Sequence, residues 1–200
     1  MSQPLPLPLD NMPGIEVEKD VIIENDTLQK IESIADSKKE ITMVDTYYDS
    51  VDYSLTTKDW WLRNRDGRFE LKLPVKSSGG FMNYNELETD NEIIQALDLE
   101  GESLSEEILK QQSLTPFCTI TTERTIFKIG DITIVHDVVD MGDETFSRGE
   151  IEMMINDPEK TEDAQQRIDE FLKSYGITGS PKHGKVLVYL EKKSPDHYEA

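Results

Sequence analysis

Residues 60–74 read Trp60-Trp61-Leu62-Arg63-Asn64-Arg65-Asp66-Gly67-Arg68-Phe69-Glu70-Leu71-Lys72-Leu73-Pro74. Asp66-Gly67 supplies the two positive-φ residues of a type I′ turn, so the flanks form a hairpin with fixed register. A two-residue turn here pairs positions whose numbers sum to 133. Arg65 then faces Arg68, Arg63 faces Glu70, and Trp61 faces Lys72. Opposed residues lie on one side of a sheet. One face therefore carries Trp61, Arg63, Arg65, Arg68, Glu70 and Lys72, and the other Leu62, Phe69, Leu71 and Leu73. Half of this hairpin is built to pack, and half is densely charged.

Other strands repeat the pattern, since residues two apart share a face. Glu16 and Glu18 oppose Ile15 and Val17. Glu150 and Glu152 oppose Ile151 and Met153. Tyr84 and Glu86 lie together. A second two-residue turn, Gly130-Asp131, joins TITTERTIFKI to ITIVHDVV and sets Arg124 opposite Asp137. Ile41 to Asp49 reads as a further strand, and Lys185 to Lys192 as the last. Helices are expected from Asp26 or Thr27 to about Ser37, within 91–113 with a break near Gly101, and over Thr161–Tyr175 with Gly176 as its C-cap. Ser77-Ser78-Gly79-Gly80 marks a loop. The sum is roughly eight strands, mostly hairpin-linked, with three or four helices: an antiparallel α+β domain.

Charges on strands usually face water, and pairs such as Arg63 with Glu70 then contribute little. The set resists that reading. Arg65 against Arg68, beside Arg63 and Lys72, is a like-charge cluster that costs stability unless an anion offsets it. The 200-residue chain holds 41 acids against 21 bases, a net charge of −20, so solubility demands neither this cluster nor the two Glu-x-Glu strands. If the strands close into a barrel, the charged face lines its lumen and the apolar face packs under helices. Arginine and lysine suit phosphate. Carboxylates beside them would repel phosphate unless divalent cations intervene, and Mg²⁺ or Mn²⁺ takes carboxylate, phosphate and water oxygens together. Bases and acids in one lumen thus point to a metal–polyphosphate complex.

Composition narrows the remaining classes. No apolar run approaches ~20 residues, so no membrane span is expected. Residues 1–14 are Pro-rich, with Pro4, Pro6 and Pro8, and lack a basic leader region; they are expected to form a flexible tail. Cys118 is the single cysteine, which excludes an intrachain disulfide and a cysteine-rich zinc site and suits a reducing cytosol. It is expected to be a buried small residue. His136, His183 and His197 lack metal-ligand spacing. Bulk negative charge argues against nucleic acid and anionic lipid as partners. The domain is expected over 15–193, with a polar tail at 194–200 and a monomer as the default state.

In order, Glu16-Val17-Glu18, DTYYDS at 45–50, WLRNRDGRFELKLP at 61–74, YNEL at 84–87, ERT at 123–125, GEIE at 149–152 and KVLVYL at 185–190 resemble the blocks of the CYTH superfamily, the triphosphate tunnel metalloenzymes. The thiamine triphosphatase branch is the most similar. The resemblance implies an eight-stranded antiparallel β-barrel with a tunnel, and divalent-metal-dependent hydrolysis of a triphosphate. Thiamine triphosphate is the first candidate, with tripolyphosphate and ATP as broader substrates. It implies that Glu16, Glu18, Asp137, Glu150 and Glu152 help hold Mg²⁺ or Mn²⁺, and that Arg63, Arg65, Lys72, Arg124 and Lys185 contact phosphates. It implies that Lys72, with Tyr47 and Glu86, helps activate water, and that Trp61 stacks on the thiamine moiety through cation–π contact. A neutral lysine base would need a lowered pKa, which crowded cations could supply. The family opening reads Glu-x-Glu-x-Lys, whereas Asp20 stands at the lysine position and Lys19 should point to the opposite face. Asp140 competes with Asp137, which is preferred for its pairing with Arg124. An adenylate cyclase of the same superfamily, a non-catalytic polyphosphate binder and an acidic interaction module are the alternatives.

Overall fold

The computed structural model describes residues 14–75, 81–179 and 184–200. The proline cluster, Ser77 to Gly80 and His183 lie outside the described residues. Eight antiparallel strands are β1 (Ile15–Ile22), β2 (Ser37–Asp49), β3 (Trp61–Arg65), β4 (Arg68–Val75), β5 (Met82–Leu87), β6 (Thr115–Ile129), β7 (Ile132–Asp140) and β8 (Thr145–Ile155). They run in the order β5-β4-β3-β2-β6-β7-β8-β1, and β1 also pairs with β5, which closes the barrel. A two-residue strand, β9 (Thr178–Gly179), adds to β1. Closure removes both edges of the eight-stranded sheet.

Both hairpin registers match the sequence arithmetic. Trp61 opposes Lys72, Arg63 opposes Glu70 and Arg65 opposes Arg68. Arg124 opposes Asp137. Asp66 and Gly67 have φ of 49° and 90°, as a type I′ turn requires.

The helices are α1 (Asn25–Ile34), α2 (Asp90–Leu97), α3 (Glu106–Gln111), α4 (Thr161–Tyr175), α5 (Lys185–Lys193) and α6 (Pro195–Tyr198). Two apolar layers lie outside the barrel. Ala164, Ile168, Phe171 and Leu172 of α4 cover Val17, Ile134 and Ile151. Ile93, Ile94 and Leu109 of α2 and α3 cover Leu62, Phe69 and Leu71. Period 2 in the strands and period 3.6 in α4 thus meet across one interface. Thr89 and Glu92 form a capping box on α2, and Gly176 at φ 66° ends α4. Gly149 is required by close approach: a Cβ there would lie 2.5 Å from Ile23 Cδ1.

Two expectations are corrected. Residues 185–192 are not the last strand but most of α5. Their short apolar run fits either period; β1–β5 pairing closes the barrel, and the end of β1 that projects beyond it is taken by β9. Lysines at 192 and 193 suit a helix C-terminus. Val186 and Leu190 of α5 instead pack on Tyr47, Cys118, Ile120 and Val139, so the helix plugs one end of the lumen. Residues 194–200 are likewise not a polar tail, because they carry α6. His197 there is buried, stacks on Tyr53 at 3.8 Å and bonds Thr56 at 2.7 Å. Burial lowers its pKa, and Asp49 only partly opposes this. Cys118 is buried, and burial raises its thiol pKa.

Candidate active site in the barrel lumen

Closure gathers the charged strand faces around one cavity of about 250 Å³, lined by Glu16, Glu18, Tyr47, Trp61, Arg63, Arg65, Lys72, Glu86, Arg124, Glu150 and Lys185, among others. Nearly all the residues read from the sequence therefore converge. Each of these cations is paired with a carboxylate, and Arg65 and Lys185 share Asp45. Arg65 donates to Asp45 through Nε (2.6 Å) and Nη2 (3.1 Å). Arg63 donates from Nε to Glu70 at 2.7 Å. Arg124 donates from Nε and Nη2 to the two oxygens of Asp137, at 2.8 and 2.7 Å, and lies 3.3 Å from Glu150. Lys185, the first residue of α5, reaches Asp45 and lies 3.3 Å from the Thr122 hydroxyl. Such pairs hold guanidinium groups in fixed geometry before any ligand arrives.

Lys72 sits among carboxylates rather than cations. Its Nζ donates to Glu16, and lies 3.4 Å from Glu18 and 3.1 Å from Glu86. Burial opposes its charge, but Glu18, Glu16 and Glu86 outweigh burial and raise its pKa. Arg63 acts in the opposite sense, but the three carboxylates outweigh it too, so Lys72 stands in the lumen as an ammonium. Lys185 is the lysine with the opposite shift. Burial, with Arg63 and Arg65 nearby, lowers its pKa to about 8 despite Asp45. Tyr47 is buried opposite Arg63, with which it hydrogen-bonds; burial raises its pKa.

Three of the five expected metal-holding carboxylates, Glu18, Glu16 and Glu152, form a hydrogen-bonded chain centred on Glu16, and Glu150 lies within electrostatic reach of it. Burial raises the pKa of Glu18, aided by Glu150 and Glu16, and that of Glu152, aided by its hydrogen bond to Glu16. Burial acts on Glu16 too, but Lys72 and the hydrogen bonds from its carboxyl neighbours outweigh it and hold Glu16 ionised. Burial likewise opposes the charge of Glu150, but Arg148 and Arg124 lower its pKa to about 2. Carboxyl groups in direct hydrogen-bond contact need a proton or a cation between them, and this donor set fits a hard divalent ion. Among the described residues no three His, Cys, Asp or Glu side chains already converge at ligand spacing. Asp137 differs from the other four. It is fully buried with both oxygens on Arg124, which makes it an anchor for that arginine rather than a free ligand. Asp140, its competitor, is exposed.

Trp61 lies at the rim, its indole N–H donating to Asp59 at 2.6 Å, while the Tyr84 hydroxyl donates to the same carboxylate at 3.1 Å. The sequence reading missed Asp45, Asp59, Glu70 and Arg148 as site residues. Asp45 and Glu70 were legible as period-2 neighbours of Tyr47 and Lys72. Arg148 was legible two residues before Glu150, but Gly149 between them masks the strand. Lys19 points away from the lumen, as expected, and pairs with Asp169 of α4.

A closed antiparallel barrel with a charged lumen and covering helices defines a tunnel protein. The CYTH domain model matches residues 15–182, and the chain belongs to that family. Thiamine-triphosphatase of Macaca fascicularis is 26% identical over 202 residues, covering 92% of this chain and 88% of that protein. The human thiamine-triphosphatase is 25% identical with the same coverage. Among solved structures, a Pyrococcus horikoshii OT3 protein, PH1819, superposes with a TM-score of 0.65 at 18% identity, covering 89% of this chain and 99% of its own. No helix among the described residues is long and apolar enough to cross a membrane.

Proposed function

We propose that this chain hydrolyses the terminal phosphoanhydride of a triphosphate in a divalent-metal-dependent reaction, with thiamine triphosphate as the first substrate. The observation that carries this reading is one cavity lined by several arginines and lysines beside glutamates of which Glu18 and Glu152 both hydrogen-bond Glu16. That combination suits a polyphosphate brought in with its cation, and suits neither partner alone. The thiamine-triphosphatase relatives support the choice of organic group.

In this reading Glu16, Glu18, Glu150 and Glu152 hold Mg²⁺ or Mn²⁺. The bound ion supplies charge neutralisation on the phosphate oxygens and orientation of water. Arg63, Arg65, Arg124, Lys72 and Lys185 bind the phosphoryl oxygens and neutralise charge that builds on the bridging oxygen as its bond to the terminal phosphorus breaks. Lys72 contributes a fixed positive charge, and Glu86 beside it takes the proton of the attacking water. Tyr47 orients Arg63. Trp61, steadied by Asp59, offers its face to a cationic thiazolium ring. The enzyme acts as a monomer in the cytosol.

The test identifies products from thiamine triphosphate, tripolyphosphate and ATP. Orthophosphate with the matching diphosphate is expected from thiamine triphosphate. Pyrophosphate with cyclic AMP from ATP would assign a cyclase instead, and tight binding without turnover at any divalent metal would assign a binder.

A further inference from the structure

One lumen cation has no role in the reading above. Arg148 enters from β8, lines the cavity with its side chain only 12% exposed, and sits between two carboxylates. Its Nη2 donates to Asp20, and its Nη1 lies 2.6 Å from Glu150. Asp20 is the third carboxylate on the lumen side of β1, after Glu16 and Glu18, and pairs across the sheet with Glu150. We propose that Arg148 is a further phosphate-contacting residue of the tunnel, and that Asp20 is the positioning residue that fixes its guanidinium there. The inference rests on the triphosphate reading and deepens it by assigning the cation on this wall.

Three observations lead to it. First, Glu150 is shared, with Arg148 on one oxygen and Arg124 on the other. The three side chains form a guanidinium–carboxylate–guanidinium row. Glu150 is one of the residues that would hold the metal, and engaged there it would release a donor of each arginine, leaving Asp20 to hold Arg148 in place. Second, each terminal nitrogen of Arg148 carries two N–H groups, and the observed pairs use one of each. Third, stability accounts poorly for the pair, because a buried ion pair is often no better than apolar side chains of the same volume. Arg148 and Asp20 also border a neighbouring cavity of about 280 Å³ walled by Val21, Ile23, Phe146 and Val188. The pair is thus a polar partition between the charged tunnel and an apolar space. The acidic residue at position 20, where the family resemblance expects a lysine, then anchors a cation supplied by the adjacent strand.

The test is calorimetric binding of tripolyphosphate with Mg²⁺, together with KM and kcat for thiamine triphosphate. Arg148→Gln should weaken tripolyphosphate binding about ten- to a hundredfold, the range for a lost charge-assisted contact, and should raise KM more than it lowers kcat. Arg148→Lys should recover part of the loss. Asp20→Asn should weaken binding less, and should add nothing in the Arg148→Gln background. The double variant removes both charges and serves if Arg148→Gln, which strands Asp20, fails to fold. Wild-type affinity in Arg148→Gln or in the double variant overturns the role of Arg148. Additive losses overturn the positioning role of Asp20. No binding of tripolyphosphate to the wild type overturns the triphosphate reading itself, and the inference with it.

Discussion

Replacing Lys185 with methionine should stabilise the protein at neutral pH while weakening its hold on phosphate. Lys185 is 5% exposed, and burial together with Arg63 and Arg65 lowers its pKa from 10.5 to about 8, although Asp45 resists. At ~1.4 kcal/mol per tenfold change in an equilibrium, carrying that proton in the fold costs about 3 kcal/mol. Below pH 8 the lysine is charged in both folded and unfolded chains, and the full cost is present. Between pH 8 and 10.5 the unfolded chain holds a proton that the folded chain has lost, so wild-type stability rises with pH. Lys185→Met should therefore exceed the wild type by up to about 3 kcal/mol at pH 7, and the advantage should shrink to nothing towards pH 10.5. Asp45 is not stranded, because it keeps both hydrogen bonds from Arg65. Urea unfolding of both proteins at pH 6.5 to 10.5 reads the difference. A gap that does not change with pH, or a variant less stable than wild type at pH 7, would refute the reasoning. The same charge is proposed to serve phosphate, so triphosphate affinity of the wild type should fall as pH rises through 8, and the variant should bind weakly throughout.

Arg65→Ala and Glu152→Ala should each lower turnover by orders of magnitude while circular dichroism stays native; wild-type-like turnover would remove that residue from the site. Trp61→Ala should raise KM for thiamine triphosphate but leave KM for tripolyphosphate, which has no ring to stack, nearly unchanged. Ile168→Ala, on the buried face of α4 outside the barrel, should cost about 2–5 kcal/mol of stability, read by denaturant midpoint, with kcat unaltered.

What the sequence disclosed depended on how firmly register was fixed. Asp66-Gly67 and Gly130-Asp131 pinned two hairpins, so the opposition of Arg63 to Glu70 and Arg124 to Asp137 follows from the sequence alone. Period 2 then carried Glu16, Glu18 and Glu150 to the same cavity, whereas Glu152 contacts Glu16 but lines a separate cavity with Lys39 and Lys128. Residues 185–192 were illegible because Val186, Val188 and Leu190 satisfy a strand as well as a helix. Their state is decided by the barrel end they cover, a tertiary fact. The environment of Lys72 was illegible for a related reason. Its cross-strand partner Trp61 was known, but Glu16 and Glu18 reach it only through closure of β1 on β5. Arg148 was hidden because Gly149 has no side chain to continue the alternation that Glu150 and Glu152 make legible. Carried two residues upstream across Gly149, the same face rule would have found it.

The central claim is that the lumen hydrolyses a triphosphate that enters with a divalent cation. Its most direct test is the initial rate of orthophosphate release from thiamine triphosphate by the purified chain, with Mg²⁺, with Mn²⁺ and with excess chelator. Release with metal that ceases on chelation and returns when metal is restored is the expected result. Release that proceeds unchanged in chelator, or no release with either metal, would contradict it.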